Sequence, residues 1–219
     1  MTKQSIINLH GFGSLGGLEN AKAQLFDQLF KSFAEIEFHS IDFTPTPKDF
    51  QYHTITGMIN RLRQFILDFD HKRVSLIGSS QGALVALNYA HLFGDIEKML
   101  LLAPALKYEL DEDPQELEDW KLAQSIPVFH YGFEREIPLD YYHYQDGARY
   151  VVAPSPPAPI LIIHGLHDDV IPISHSRQYA ERYAGLVQLI EVDDNHRLLQ
   201  QTALLDDQAL TFFGPAHGS

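Results

Sequence analysis

The pentapeptide Gly78-Ser79-Ser80-Gln81-Gly82 constrains the fold of this chain more than any other segment. The apolar run before it is typical of a buried strand, and the run after it is typical of a helix. A serine in the middle of G-x-S-x-G at such a junction lies on a sharp, strained turn that exposes its hydroxyl. Ser80 has this register, whereas Ser79 is one residue out. The two flanking glycines give clearance where strand and helix pass close together. Ser80 is therefore the candidate nucleophile.

The rest of the chain alternates between strand and helix patterns, which predicts an α/β fold. We expect a mostly parallel sheet of about six strands with helices on both faces, in a single domain that spans residues 1–219. Strands are predicted near 5–9, 36–41, 73–78, 98–103, 159–164 and 186–192. Helices are predicted near 18–33, 55–69, 81–93, 174–183 and 198–213.

The alternation is interrupted once, by an insertion at about 107–157. This segment is first acidic, then aromatic, and it ends in a proline-rich connector. About fifty residues are too many for a plain loop in a compact domain. We predict a small lid that packs over the carboxyl edge of the sheet. The alternative is a structural side layer without substrate contact.

Composition excludes several classes of function. The formal net charge of -13 argues against binding to the phosphate backbone of nucleic acids, which needs clustered Lys and Arg. The chain has no cysteine, which excludes disulfides, thiol catalysis and thiolate metal sites. No charged leader and no apolar run of membrane-spanning length are present, so we expect a cytoplasmic protein. The sequence gives no indication of the oligomeric state.

An acid and a base for Ser80 are expected further along the chain. A serine hydroxyl is a poor nucleophile near neutral pH and needs a base, usually a histidine that a carboxylate orients. In this topology the chain order is serine, acid, histidine. Asp168 and Asp169 follow the fifth predicted strand, and spacing alone does not separate them. His196 follows the sixth predicted strand and would overhang the same edge, where open α/β sheets place their sites.

Two backbone N–H groups are the candidate oxyanion hole. One belongs to Gln81, the residue after the nucleophile, and the other to Phe12 in the glycine-containing loop after the first strand. A dinucleotide site is not predicted there, because G-x-G-x-x-G does not occur in register. A metal site is not predicted either: His164, His167 and Asp168 lie at a strand end rather than on one helix face, and no further ligand completes the set. His10 and His164 each precede a glycine and are expected to support the site through hydrogen bonds.

Together these motifs resemble those of the α/β-hydrolase superfamily over nearly the whole chain. The segment 10–14 is similar to its oxyanion loop, 78–82 to its nucleophile elbow, and 164–172 to its acid loop, H-G-x-x-D-x-x-V/I-P. The acid-loop match assigns the acid to Asp168, and Asn195-His196 matches the catalytic histidine. The small size and the H-G-F-x-S opening are most similar to compact bacterial esterases of the YqiA/YcfP type, where a second glycine is common at the position of Gln81.

The resemblance implies a serine hydrolase that cleaves a small-molecule carboxylic ester through an acyl-enzyme, without cofactor or metal. Ser80 would attack, His196 would transfer the proton, and Asp168 would orient His196. Two alternatives stay open. One is an acyl thioesterase, since the same machinery serves it. The other is a hydrolase-shaped protein that binds a small ligand without turnover.

Overall fold

Six parallel strands form the central sheet of this computed structural model, which describes residues 3–68, 73–109 and 113–214. The strands in chain order are β1 (Gln4–Leu9), β2 (Ile36–Ile41), β3 (Val74–Ser79), β4 (Met99–Leu102), β5 (Ser125–His130), β6 (Arg135–Asp140), β7 (Ile160–Gly165) and β8 (Val187–Val192). The sheet has the order β2-β1-β3-β4-β7-β8, and β5 and β6 form a separate antiparallel hairpin. The predicted α/β fold with its six-stranded sheet is thus confirmed.

Helices cover both faces of the sheet. The α-helices of the described residues are α1 (Ala21–Phe30), α2 (Pro47–Gln51), α3 (Ile55–Leu67), α4 (Gln81–Phe93), α5 (Pro114–Ala123), α6 (Tyr142–Gly147), α7 (Ile173–Arg182) and α8 (Thr202–Phe213). One core cluster joins the sheet to α3, α4 and α7, and a second joins the opposite face to α1 and α8. The central strands β1, β3, β4 and β7 are buried throughout, as expected of strands covered on both sides.

Most helix predictions agree with the structure, and the differences have local causes. The predicted end of the second helix at Phe69 lies outside the described residues. The last helix begins at Thr202 rather than at Leu198, because Leu198 has a φ of 54° and inserts its side chain into the core from a turn. Helix α2 was not predicted. It is only five residues long, and Thr46 and Asp49 stabilise it through a capping box.

The insertion between β4 and β7 contains α5, the β5–β6 hairpin and α6. Trp120 of α5 packs with Ile137 and Leu139 of the hairpin against Phe50 of α2, and its indole N–H donates to the carbonyl of Leu139 at 3.1 Å. This small core is separate from the two clusters that flank the sheet. The insertion therefore has a small apolar core, which also includes Phe50 from the body of the protein.

The topology brings four loops to one edge of the sheet. Because β1, β3, β7 and β8 are parallel, their carboxyl ends share this edge. The loops that follow them carry the five residues predicted to form the site. Among the described residues, no helix combines the length and apolar character needed to cross a membrane.

Candidate active site

Ser80 occupies a strained turn between β3 and α4. Its backbone has φ 51° and ψ -118°, a conformation that non-glycine residues rarely adopt. The Ser80 N–H donates to the carbonyl of Leu102 at 3.0 Å, and the Ser80 carbonyl accepts from the N–H groups of Ala83 and Ala105 at 3.0 and 3.1 Å. Three hydrogen bonds thus hold the strained residue from both sides.

The glycines on either side of Ser80 are required by the close approach of strand and helix. A Cβ atom on Gly82 would lie 2.3 Å from the carbonyl oxygen of Leu9, and one on Gly78 would lie 2.7 Å from Cα of Ala83. Real Cβ atoms essentially never approach other atoms so closely. The clearance expected from the sequence is confirmed at both positions.

His196 and Asp168 form a hydrogen-bonded pair across the loops after β8 and β7. His196 Nδ1 lies 2.8 Å from Asp168 Oδ2, and the Asp168 side chain is fully buried. A carboxylate only accepts, so His196 donates through Nδ1–H, which leaves Nε2 of the neutral ring free to accept a proton. Of the two adjacent carboxylates, Asp168 meets the histidine, whereas Asp169 is exposed.

Asp168 is held as an anion by several donors. His164 Nε2 lies 3.0 Å from Asp168 Oδ2, and the backbone N–H groups of Val170 and Ile171 donate to Asp168 Oδ1. Burial alone would raise the pKa of Asp168, but the hydrogen bonds from His164, His196 and these N–H groups together lower it well below its usual range. His164 thus makes the hydrogen-bond contact expected of it, and its role in supporting a catalytic site stays a prediction.

His167, Asp193 and Asp194 of the two loops are engaged in other contacts. His167 Nε2 pairs with Asp193 Oδ1 at 2.8 Å on the exposed surface. Asp194 is a turn residue that accepts from the N–H groups of Asn195, Gln200 and Gln201 ahead of α8. No group of three or more His, Cys, Asp or Glu side chains within the described ranges has the geometry to hold a metal ion.

Ser80 and His196 line the same cavity. The described part of the chain contains no hydrogen bond between them. Catalytic hydrogen bonds are often long in unliganded sites and tighten when substrate binds. The assignment of Ser80, His196 and Asp168 to catalysis stays a prediction at this point.

The loop after β1 brings the backbone of Gly11 and Phe12 next to Ser80. A Cβ atom on Gly11 would lie 3.2 Å from Cβ of Ser80. The Gly11 carbonyl accepts from Ser14 Oγ at 2.9 Å and lies 2.9 Å from Nδ1 of His10, while His10 Nε2 accepts from the backbone N–H of residue 43. The Gly11 carbonyl and the Phe12 N–H belong to the same trans peptide group and point in opposite directions. The contacts that hold the carbonyl therefore also fix the direction of the Phe12 N–H.

The backbone N–H groups of Phe12 and Gln81 donate to no protein acceptor within the residues that the structure describes. Both residues adjoin Ser80, one across the loop and one in sequence. The two groups are therefore available to a ligand, and their role as an oxyanion hole stays a prediction.

The cavity has a volume of about 960 Å³, and its wall combines apolar and polar side chains. Part of its wall comes from the β5–β6 hairpin, through Val128, Phe129, Tyr131 and Gly132. The hairpin turn is attached to the loop after β1, because the Tyr131 N–H donates to the Gly13 carbonyl at 2.8 Å. The insertion thus borders the same cavity as Ser80.

Lys22, which was not predicted as a site residue, lines the cavity as well. The spacing of apolar residues in α1 could have indicated its position. Lys22 precedes Phe26 and Phe30 at helical spacing, and both phenylalanines are buried, so the lysine lies on the sheet-facing side of α1.

Three solved structures have a fold similar to that of this chain. A protein from Agrobacterium vitis S4, provisionally described as a hydrolase, is 20% identical with a TM-score of 0.79; the match covers 95% of this chain and 87% of that one. Mouse alpha/beta hydrolase domain-containing protein 10 is 18% identical with a TM-score of 0.78, covering 97% and 90%. A monoacylglycerol lipase from Paleococcus ferrophilus is 14% identical with a TM-score of 0.74, covering 96% of each.

The sequence comparisons define the family. No curated protein matches the chain. The model of the uncharacterised protein family UPF0227 matches residues 5–213, which is nearly the whole sequence. With the α/β-hydrolase fold established by its sheet and by these neighbours, the chain belongs to the family UPF0227.

Proposed function

We propose that this protein is a serine hydrolase that cleaves carboxylic esters through an acyl-enzyme. The observation that carries the proposal is the shared cavity. It is lined by Ser80, strained at the strand–helix turn, and by His196, whose Nδ1 is hydrogen-bonded to the buried Asp168. This combination of a nucleophile, a base and an orienting acid is what acyl transfer requires.

In the first half of the reaction, Ser80 Oγ attacks the ester carbonyl and His196 Nε2 takes the hydroxyl proton. Asp168 accepts from Nδ1–H and stabilises the imidazolium that forms. The C–O bond to the alcohol then breaks, and His196 returns its proton to the leaving alkoxide. The products of this half are the alcohol and an ester between the acyl group and Ser80.

In the second half, a water molecule attacks the acyl-enzyme while His196 again takes the proton. The bond to Ser80 Oγ breaks, the proton returns to Ser80, and the carboxylic acid leaves. In both halves the N–H groups of Phe12 and Gln81 would donate to the carbonyl oxygen as it becomes negative. Each such donor contributes on the order of 3 kcal/mol to transition-state stabilisation.

The cavity supports an ester with an apolar part of small or medium size. Its volume of about 960 Å³ is in the upper range of small-molecule sites. Phe12, Phe129 and Tyr131 are exposed and line it, so apolar surface is available to an acyl or alcohol chain. In this proposal the insertion acts as the lid of the site. The similar fold of a monoacylglycerol lipase is a further, weaker support.

The proposal is tested by labelling with a fluorophosphonate, which reacts with activated serines. We expect the wild-type protein to be labelled, and mass spectrometry of the adduct to locate the label on Ser80 rather than Ser79. Ser80→Ala should be folded by circular dichroism and unlabelled. Ser32→Ala, at an exposed position after α1, should be labelled like the wild type. A folded wild type that stays unlabelled, or a label on another residue, would overturn the proposal.

A substrate screen then separates esters from thioesters. Oxygen esters and acyl-CoA thioesters of the same acyl chain are compared by kcat/KM, with Ser80→Ala as the blank. A higher kcat/KM for the oxygen esters would support the proposal. Turnover of thioesters alone would replace it with a thioesterase function for the same three residues.

A further inference from the structure

Lys22 brings a positive charge to the cavity, and the proposed mechanism does not use it. It lies in the first turn of α1, where its backbone N–H donates to Asn20 Oδ1 at 3.1 Å. Its side chain lines the cavity next to the nucleophile turn, with Nζ 3.4 Å from Ser79 Oγ. Ser79 directly precedes Ser80, and Lys22, Ser79 and Ser80 all line this cavity.

The ammonium of Lys22 has few protein partners. An ammonium has three donors, and a neutral hydroxyl at 3.4 Å is its one hydrogen-bond acceptor among the described residues. Its Nζ has no carboxylate oxygen within 4.0 Å in that part of the chain. The carboxylates that act on it over a longer distance, Asp168 and Asp194, already accept hydrogen bonds from other groups. Within the described residues the remaining donors of Lys22 therefore have no acceptor, and they are open to a ligand.

The protonated form of Lys22 predominates at neutral pH despite its surroundings. Burial lowers the pKa of Lys22 to about 8, against the attraction of Asp168 and Asp194. Keeping a desolvated cation without a close counter-ion is unfavourable, and an anionic ligand relieves that cost.

Lys22 differs from the other formally charged residues of the cavity wall in its position. Glu19, Asp169 and Arg197 also line the cavity, but all three are exposed, and solvent screens their charges. Lys22 is partly buried beside Ser79. Among these four residues it is the one that is partly buried and contacts the nucleophile turn.

We propose that Lys22 binds a carboxylate or phosphate group of the substrate, so that the ester cleaved is an anionic one. This inference rests on the proposed function, because it assigns a substrate class to the same site. A charged hydrogen bond of this kind contributes more than a neutral one and selects for substrates that carry the anion.

The test compares esters that differ only in the anion. Monoethyl succinate has a carboxylate where ethyl butanoate has a methyl group, and 2-acetoxyethyl phosphate is compared with propyl acetate. We expect the wild type to have the higher kcat/KM for the anionic member of at least one pair. A larger preference in the succinate pair would identify a carboxylate as the ligand of Lys22, and a larger preference in the acetate pair would identify a phosphate.

Variants of Lys22 then assign the preference to its charge. Lys22→Met keeps the length of the side chain, and we expect the ratio of kcat/KM for the anionic to the neutral ester to fall by about tenfold or more. Lys22→Arg retains the charge and should restore most of the ratio. Lys31→Met, at the exposed end of the same helix, should behave like the wild type. An unchanged ratio in Lys22→Met would overturn the inference, as would an equal loss for both esters, which would indicate a role in positioning Ser79.

A binding measurement keeps this inference separate from the proposed function. Succinate and inorganic phosphate are titrated into Ser80→Ala by calorimetry, and into the double variant Ser80→Ala/Lys22→Met. Binding that disappears with Lys22 supports the anion site even if no ester is turned over, in which case the proposed function alone fails. Ester turnover without Lys22-dependent binding of either anion, and without an anionic preference, contradicts the anion site alone.

The pH dependence provides a second readout. Because the pKa of Lys22 is about 8, its positive charge is lost as the pH rises from 7 to 9. The ratio of kcat/KM for the anionic to the neutral ester should therefore fall over this range in the wild type. Any effect of pH on His196 acts on both esters alike and cancels in this ratio. Lys22→Arg should keep its ratio to pH 9. A wild-type preference for the anionic ester that stays constant from pH 7 to 9 would contradict binding of the anion by the Lys22 ammonium with a pKa of about 8.

Discussion

His196 Nδ1 lies 2.8 Å from Oδ2 of Asp168, and the carboxylate has no solvent-accessible side-chain surface. The same oxygen lies 3.0 Å from His164 Nε2, and His164 Nδ1 lies 2.7 Å from Ser176 Oγ. The chain of contacts from Ser176 through His164 to Asp168 fixes the acceptor that orients His196. The orientation of His196 is thus set by residues that do not border the cavity themselves.

Asp168→Asn tests this orientation. An amide that donates to His196 favours the wrong tautomer, with the proton on Nε2, so the ring cannot accept the proton of Ser80. We expect kcat for ester hydrolysis to fall by about 10⁴-fold. The matched control is Asp169→Asn, one residue away and exposed, which should keep most of its kcat. Equal losses in the two variants, measured on the same ester, would argue against Asp168 as the orienting acid.

Gly82→Ala tests the close packing of the nucleophile turn. The added Cβ would lie 2.3 Å from the Leu9 carbonyl, so the start of α4 has to move away from β1. We expect a loss of about 1–3 kcal/mol in the free energy of unfolding by urea, together with most of kcat. Gly185→Ala is the control, since its Cβ would meet nothing within 4 Å. A Gly82→Ala protein as stable and active as Gly185→Ala would contradict the structure of this turn.

The sheet and the residues at its edge could be predicted from sequence because local patterns determine them. Buried parallel strands are continuous apolar runs, and the G-x-S-x-G turn marks the strand–helix junction at Ser80. The choice between Asp168 and Asp169 could not be made from spacing. It depends on which carboxylate faces a loop from another strand, and this is a property of the tertiary structure.

The insertion and Lys22 were predicted less well for a related reason. The β5–β6 hairpin pairs short strands with a proline in each, Pro127 and Pro138, which weakens any strand pattern. Helix α2 is too short to show helical periodicity. Lys22 has the spacing of a buried face, but a lysine at the start of a helix resembles an ordinary surface residue. Its position beside Ser79 depends on the packing of α1 against the sheet.

Phe129→Ala tests whether the insertion contacts substrate. Phe129 is half exposed and lines the cavity, so an apolar ester would cover its ring. Burying a side chain of this size contributes about 1.5–3 kcal/mol, and we expect KM for an apolar ester to rise by about tenfold. The free energy of unfolding should stay within about 0.5 kcal/mol of the wild type. Leu122→Ala, exposed on α5 of the same insertion, is the control. An unchanged KM in Phe129→Ala would support a structural side layer.

A cluster of buried histidines connects the insertion to the body of the protein. The rings of His53, before α3, and His143, in α6, have centroids 4.4 Å apart, and the Phe12 ring contacts both. Burial lowers the pKa of His53 to about 3, and the nearby rings of His143, His10 and His130 act in the same direction. The pKa of His143 is lowered as well, also by burial. The side chain of His53 is therefore neutral in the folded protein at mildly acidic pH.

This arrangement predicts a loss of stability in acid. Between pH 6.5 and 3 the unfolded chain binds a proton at His53 and the folded protein does not, so the free energy of unfolding falls as the pH falls. His53 accounts for about 2 kcal/mol of that decrease between pH 7 and pH 5. Urea unfolding at the two pH values should show a smaller decrease in His53→Asn than in the wild type. The exposed His91→Asn is the control and should keep the wild-type decrease. If His53→Asn loses as much stability as the wild type over this range, His53 is not the group that titrates.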